Sequence, residues 1–184
     1  MLDGFRLGVK TYDSGFRPDF IVGIWRGGSS VGIVVQECLA YLGVSTDHIA
    51  IRTSYQGVST YENILQGSDN IRVHGLKYLF DKMNADDKLL IVDDVFSSGY
   101  NMEAVIDMLK RRMRKNIPHD IRIATAWYKP SKNKTGRVPD YYLHQTEKWL
   151  VLPYELDGLS LHDIRQNKTG IAHLFDDWHT IVDL

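Results

Sequence analysis

Cysteine is almost missing from this chain. Cys38 is the only one among 184 residues, so no disulfide can close within the chain and no multi-cysteine metal site can be built. An excess of charge is missing too: 22 basic side chains face 23 acidic ones, leaving a net charge of −1. That balance gives no general electrostatic pull toward nucleic acid or a membrane surface. No apolar run reaches membrane-spanning length, and no signal peptide or lipidation motif is visible. With the lone cysteine, this sets the expectation of a cytoplasmic protein that does not enter a membrane. The seven histidines fall at no metal-ligand spacing; His173 and His179 are six apart, and neither HExxH nor CxxC occurs. A serine-hydrolase elbow, GxSxG, is also absent, as are internal repeats and low-complexity tracts. What remains, 43% apolar and 24% charged, has the composition of a globular domain. The length suits one domain, residues 1–184, with a sizeable core.

The pattern alternates strands and helices. Residues 1–14 form a helix candidate with Phe5 and Val9 on one side, ended by Gly15-Phe16-Arg17-Pro18. Phe20–Ile24 is the first buried strand and runs into Trp25-Arg26-Gly27-Gly28-Ser29-Ser30. A helix follows, with Val31, Val34, Val35, Cys38, Leu39 and Leu42 in step and Gly43 as its stop. Ile49–Arg52 is a second strand, leading to Thr53-Ser54-Tyr55 and a long polar segment, Gln56–Val73, without clear period. Gly75–Met83 is helical, and Asn84–Asp87 turns the chain into Leu89–Val92, a third strand. Later strands are Ile121–Trp127, Tyr141–Leu143 and Trp149–Leu152. Arg111–Lys115 is a basic helix end, Ser131–Val138 a solvated basic loop, and the stretch after Glu155 an irregular acidic turn. In the tail, Ile171, Leu174, Phe175, Trp178, Ile181 and Val182 share one helical face.

The organising stretch is Lys88–Met102, KLLIVDDVFSSGYNM. An apolar strand is followed by Asp93 and Asp94, a small-residue turn Ser97-Ser98-Gly99, and a helix. Met102, Val105, Ile106, Leu109 and Met113 make that helix's apolar stripe. Such a turn aims backbone N–H groups and the positive end of a helix dipole at one spot, which suits a phosphate. The acids stand at the carboxyl end of a strand, where open α/β sheets bind ligands. Together they fit a phosphorylated sugar whose hydroxyls the carboxylates accept. An ordinary buried strand with a solvated acidic turn, or a response-regulator acidic pair, competes for the same letters. Arg26-Gly27-Gly28-Ser29-Ser30 is a second phosphate-cradle candidate, since glycine lets the backbone approach an anion and Arg26 adds charge; taken alone, these letters fit a plain strand–helix turn better.

These motifs resemble the 5-phosphoribosyl-1-pyrophosphate (PRPP) signature and pyrophosphate loop of the type I phosphoribosyltransferases. The segment from Lys129 to Glu155 is similar to their 6-oxopurine branch, the hypoxanthine-guanine and xanthine-guanine enzymes. It has Lys129-Pro130 after a strand, Val138–Tyr142, then Trp149-Leu150 before Pro153-Tyr154-Glu155. The resemblance spans about Phe16 to Glu155. It implies a parallel sheet of about five strands flanked by helices, with a small hood contributed by about 129–184 and the N-terminus. The implied reaction is Mg2+-dependent transfer of phosphoribose from PRPP to hypoxanthine, guanine or xanthine.

Carried over residue by residue, Asp93 and Asp94 hold the ribose hydroxyls and Mg2+, with Glu155 or Asp157 at a second Mg2+ site. Ser97, Ser98, Gly99, Tyr100 and Asn101 hold the 5′-phosphate. Arg26, Gly27, Ser54 and Tyr55 hold pyrophosphate, with a cis Trp25–Arg26 peptide and a mobile loop beginning at Ser54-Tyr55. Lys129, Trp149 and Leu150 read the base. Lysine only donates, which suits a carbonyl O6 and N7 and not an exocyclic amine, and an indole offers a face on which a purine stacks. The resemblance also implies a homo-oligomer, dimer or tetramer, and no nucleic-acid partner. Two positions depart. Ser97 replaces the catalytic Asp of the hypoxanthine-guanine enzymes, and Asn101 replaces a Thr or Ser. The loss at Ser97 keeps two alternatives open: a PRPP-sensing regulatory protein, and an enzyme for adenine or orotate.

Overall fold

The computed structural model describes residues 1–55 and 68–175. They fall into two compact units, Met1–Glu147 and a second beginning at Lys148. In the first, six strands form one sheet in the order β3-β2-β1-β4-β5-β6. These are β1 (Phe20–Trp25), β2 (Asp47–Tyr55), β3 (Ile71–His74), β4 (Lys88–Phe96), β5 (Asp120–Tyr128) and β6 (Tyr141–Gln145). All neighbours are parallel except β2 and β3. The expected flanked parallel sheet is therefore present, with one antiparallel strand at its edge.

That edge strand corrects the reading of Gln56–Val73 as loop up to Val73. Ile71-Arg72-Val73-His74 alternates apolar and polar, a period-two signal only four residues long, and its partner is supplied by Arg52–Tyr55. A second correction concerns Trp149–Leu152, which forms no strand. At its last residue the backbone bonds to side chains instead of a ladder. The Leu152 N–H donates to Glu155 Oε2 at 2.8 Å, and the Leu152 carbonyl accepts from Lys168 Nζ at 2.6 Å. A third lies in the stretch expected to be irregular, where α5 (Leu161–Asn167) forms. Ser160 starts it by accepting from the Asp163 N–H, while the Asp163 carboxylate accepts from the Ser160 N–H, a reciprocal cap. The tail continues as α6 (Thr169–Ala172) and a tight turn, His173–Phe175. Trp178, Ile181 and Val182 of the expected apolar face lie outside the described residues.

Alternation along β4 divides the core of the first unit. Leu89 and Ile91 face one way, with Val22, Ile24, Leu79, Val105 and Leu109. Leu90 and Val92 face the other, with Leu7, Ile21, Val35 and Leu39. The first layer is covered by α3 (Lys77–Lys82) and α4 (Tyr100–Met113), the second by α1 (Leu2–Asp13) and α2 (Gly27–Tyr41).

The two helices of the second layer approach closely because α1 turns glycines toward α2. A Cβ on Gly4 would lie 2.7 Å from Val34 Cβ, and one on Gly8 equally near Cys38 Cβ. The buried side of α1 is thus Gly4, Leu7, Gly8 and Thr11. Phe5 and Val9, the pair picked from the sequence, face outward at 45% and 44% exposure. Cys38 is buried beneath α1, its S–H directed at the Phe5 carbonyl, and burial pushes its thiol pKa up. It is a packing residue.

Candidate active site

β1 and β4 lie side by side, yet the helices that follow them leave for opposite faces of the sheet. This is a topological switch point, where the diverging turns open a crevice at the carboxyl ends of the strands. Both phosphate-cradle candidates stand there.

The acidic pair is built into β4, which runs on to Phe96 and does not stop at Val92. Asp93 pairs in register with Thr125 of β5 and is 9% exposed. Its Oδ1 accepts from the Asp94 N–H at 3.0 Å, and Asp94 Oδ1 accepts from the Val95 N–H at 2.8 Å. Burial pushes the Asp93 carboxyl well above the ordinary carboxylate range, and the Asp94 charge pushes the same way. A hydroxyl-rich or cationic ligand at these two adjacent carboxylates would favour the ionised form that burial disfavours at Asp93.

The turn after β4 reaches α4 through Gly99, the N-cap, whose φ of 85° belongs to the left-handed region that favours glycine. No side chain caps this helix. The amides of Asn101 and Met102 therefore start the first turn without an intrahelical acceptor, at the positive end of the dipole. The Tyr100 N–H reaches Ser98 Oγ at a long 3.4 Å. Asn101 buries its Oδ1 with no hydrogen-bond partner. An amide turned end for end would present Nδ2 there, a donor for an anion.

The turn after β1 carries the expected cis peptide, Trp25–Arg26. Arg26 is the N-cap of α2, and Gly27 and Gly28 open the helix. A Cβ on Gly28 would stand 2.5 Å from the Val92 carbonyl oxygen and 2.9 Å from both Asp93 Cα and Oδ1. Backbone approach brings this turn directly against the acidic pair. Gly23 of β1 is equally crowded, by Ser29 Cα at 2.7 Å, so the first turn of α2 rests directly on the sheet backbone.

Lys129 follows β5, and its N–H donates to the Phe96 carbonyl at 2.9 Å, which holds it beside the end of β4. At the end of β2, Ser54 Oγ lies 3.0 Å from His74 Nε2 on β3. Residues 56–67 of the loop expected after Ser54-Tyr55 lie outside the described residues. Trp149, Leu150 and Glu155 belong to the second unit. There the Trp149 indole is 87% exposed, and Glu155 closes its own turn by accepting from the Leu152 N–H.

Sequence reasoning missed the part played by Ser131–Arg137, taken as a solvated loop. The Lys134 N–H donates to the Ser98 carbonyl at 2.9 Å, and Thr135 stands over Gly99. The only signal in the letters was the Asn133-Lys134-Thr135-Gly136 run of turn formers, which says nothing about the loop's neighbour.

Residues 6–158 match the family described as the phosphoribosyl transferase domain. No curated protein matches the chain in sequence. Among solved structures, the purine phosphoribosyltransferase of Pyrococcus horikoshii is similar at 27% identity and a TM-score of 0.60, over 86% of this chain and 90% of that one. The hypoxanthine phosphoribosyltransferase of Trypanosoma cruzi superposes with a TM-score of 0.66 at 15% identity, over 86% of this chain and 79% of that one. The xanthine-guanine-hypoxanthine phosphoribosyltransferase of Helicobacter pylori gives 0.59 at 17% identity, over 89% of this chain and 91% of that one.

Proposed function

The chain belongs to the phosphoribosyl transferase domain family, and from that premise we propose that it transfers 5-phosphoribose from PRPP to a 6-oxopurine. The products are the nucleoside monophosphate and pyrophosphate. One observation carries the reading: an acidic pair, buried Asp93 with half-buried Asp94, lies against the glycine turn after β1 and leads into an uncapped helix N-terminus through Gly99. That is a place for a sugar's hydroxyls between two places for phosphate. In this reading Asp93 and Asp94 accept from the ribose hydroxyls. Ser97, Ser98, Gly99, Tyr100 and Asn101 bind the 5′-phosphate, and Arg26, Gly27, Ser54 and Tyr55 the pyrophosphate. Lys129, Trp149 and the Leu150 backbone read the base. The orphaned Asn101 Oδ1 supports a ligand at the phosphate loop. The transition state of such transfers has oxocarbenium character, so positioning and charge stabilisation do most of the work.

Mg2+ fits this donor set. Carboxylates are hard oxygen ligands, and a cation would favour the ionised form that burial disfavours at Asp93. Among the described residues no group of three or more His, Cys, Asp or Glu is placed to hold a metal. Asp93 and Asp94 would therefore share the ion with ligand oxygens and water, as Mg2+ commonly requires, and Glu155 or Asp157 would serve a second ion. When bound, the metal would neutralise charge on the pyrophosphate. Self-association into a dimer or tetramer belongs to the same proposal. It is supported by the outward stripe Leu2, Phe5 and Val9 on α1, the first of these 62% exposed. Among the described residues no helix is long and apolar enough to cross a membrane.

The test is PRPP turnover with Mg2+ against hypoxanthine, guanine, xanthine, adenine and orotate. Preference for an oxopurine is the expected result, and preference for adenine would overturn the assignment of Lys129. The regulatory alternative is favoured by one observation, a hydroxyl in place of a carboxylate at Ser97. Tight PRPP binding without turnover of any of the five bases would select it.

A further inference from the structure

The loop after β5 is tied to the phosphate loop by a closed circuit of contacts. Tyr128, at the end of β5, packs its ring edge-on against Phe96 at the end of β4, with centroids 5.7 Å apart. The Tyr128 hydroxyl accepts from Asn133 Nδ2 at 3.1 Å, and the same Nδ2 donates to the Arg137 carbonyl at 2.9 Å. Asn133 Oδ1 accepts from the Thr135 N–H at 3.1 Å and lies 3.2 Å from Thr135 Oγ1, which donates to it. The orientation of this amide is forced, because only NH2 can serve the Arg137 carbonyl and only oxygen can serve the Thr135 N–H.

Thr135 completes the circuit above Gly99. A Cβ on Gly99 would collide with Thr135 Oγ1, approach Thr135 Cγ2 to 3.1 Å and meet Phe96 Cζ at 2.9 Å. Beside it, the Lys134 N–H holds the Ser98 carbonyl. With that carbonyl turned toward Lys134, the peptide's other end, the Gly99 N–H, is held in a fixed direction, since the peptide unit is planar. At its other end the same loop is fastened by Ser131, whose N–H donates to Glu147 Oε1 at 3.0 Å and whose hydroxyl donates to Glu147 Oε2. Lys129 begins this loop, just before Ser131, with its own N–H on the Phe96 carbonyl.

We propose that Asn133 and Thr135 are positioning residues. They hold the Ser97–Asn101 loop in its anion-binding form by tying it to the loop that carries Lys129. Neither touches a reacting atom; both act through Ser98 and Gly99. The phosphate loop and the base-reading lysine are thereby mounted on one support, so ordering one orders the other. This rests on the phosphoribosyltransferase reading of the site, and the experiment separates the two.

PRPP binding is measured by calorimetry with Mg2+ for the full chain and for Asn133→Ala, Thr135→Ala and Thr135→Ser, each with its melting temperature and steady-state kinetics. Loss of the four hydrogen bonds made by the Asn133 side chain should weaken PRPP binding by about tenfold in Asn133→Ala, and loss of the single Thr135 Oγ1 bond by a few fold in Thr135→Ala. KM for PRPP should rise with kcat changed much less, the melting temperature of Thr135→Ala should be nearly unchanged, and Thr135→Ser should restore the wild-type constant. PRPP affinity within twofold of wild type in both alanine variants overturns the inference. Should Asn133→Ala fail to fold, Thr135→Ala and its serine rescue decide alone. Absence of PRPP binding in the unsubstituted protein would instead overturn the functional reading.

Discussion

Two glycine turns face each other across the switch point, and different forces hold them. The turn after β1 is fixed by backbone against backbone. Gly28 leaves no room for a Cβ beside the Val92 carbonyl and Asp93 Cα, and neither Gly27 nor Gly28 has a positive φ. The turn after β4 is fixed by a left-handed Gly99 and by side chains, chiefly Thr135 and the Asn133 amide behind it. Both read as strand, small residues, helix. One glycine is required for space and the other for conformation, so the first turn cannot yield while the second can be retuned by its neighbours.

The sharpest break of this comparison is Gly28→Ala. Its Cβ meets atoms that cannot rotate away, so the helix must lift from β4, at a cost of about 3–4 kcal/mol. A melting temperature lower by about 10 °C is expected. Further substitution of the Asp93 side chain should not rescue it, because the nearest atom is the Val92 carbonyl oxygen.

Gly99→Ala should cost less, about 1–2 kcal/mol, from the positive φ and the contact with Thr135. Here rescue is expected. The double variant Gly99→Ala with Thr135→Ala should be more stable than the sum of the single changes predicts, a non-additivity of at least about 0.5 kcal/mol in a double-mutant cycle. Strict additivity would mean that Thr135 does not constrain the turn.

Asp93 lies between the turns and gives the comparison a pH dependence. Its folded-state pKa is raised by burial, so its contribution is fully present below the ordinary carboxylate value. That contribution is lost as pH rises through the raised folded value. Without Mg2+, stability relative to Asp93→Asn should fall with rising pH across that window. The slope is limited to about 1.4 kcal/mol per pH unit, the bound for one proton. Denaturant titrations of both proteins over pH 4–8 check the sign; a parallel pH dependence would contradict the buried, raised carboxyl.

The smallest effect on the folded state belongs to Ser97→Asp, in the retunable turn. PRPP affinity should stay within about twofold, while kcat for hypoxanthine or guanine rises. A positioned acid–base group contributes about 10²–10⁴ in rate, and a serine hydroxyl cannot act as an anion near neutral pH. Lost activity in the variant would favour a site shaped for sensing or for another base.

The cis bond was expected on resemblance alone, whereas periodicity and turn chemistry along the chain determined the alternating α/β pattern, the β4 acids and the two glycine turns. Each is a local property: an apolar run, a small-residue turn, a helix stripe. The tertiary structure alone decided what depends on partners distant in sequence. Ile71–His74 becomes a strand because Arg52–Tyr55 offers it an edge, and Trp149–Leu152 does not, the Leu152 N–H and carbonyl being engaged by Glu155 and Lys168. Phe5 and Val9 face outward because the glycines beside them, Gly4 and Gly8, fit against Val34 and Cys38. Asn133 and Thr135 read as loop because hydrogen-bonded turns are polar everywhere. Only folding brings them to Gly99, since a side chain's neighbours across the crevice leave no trace in the spacing of its own segment.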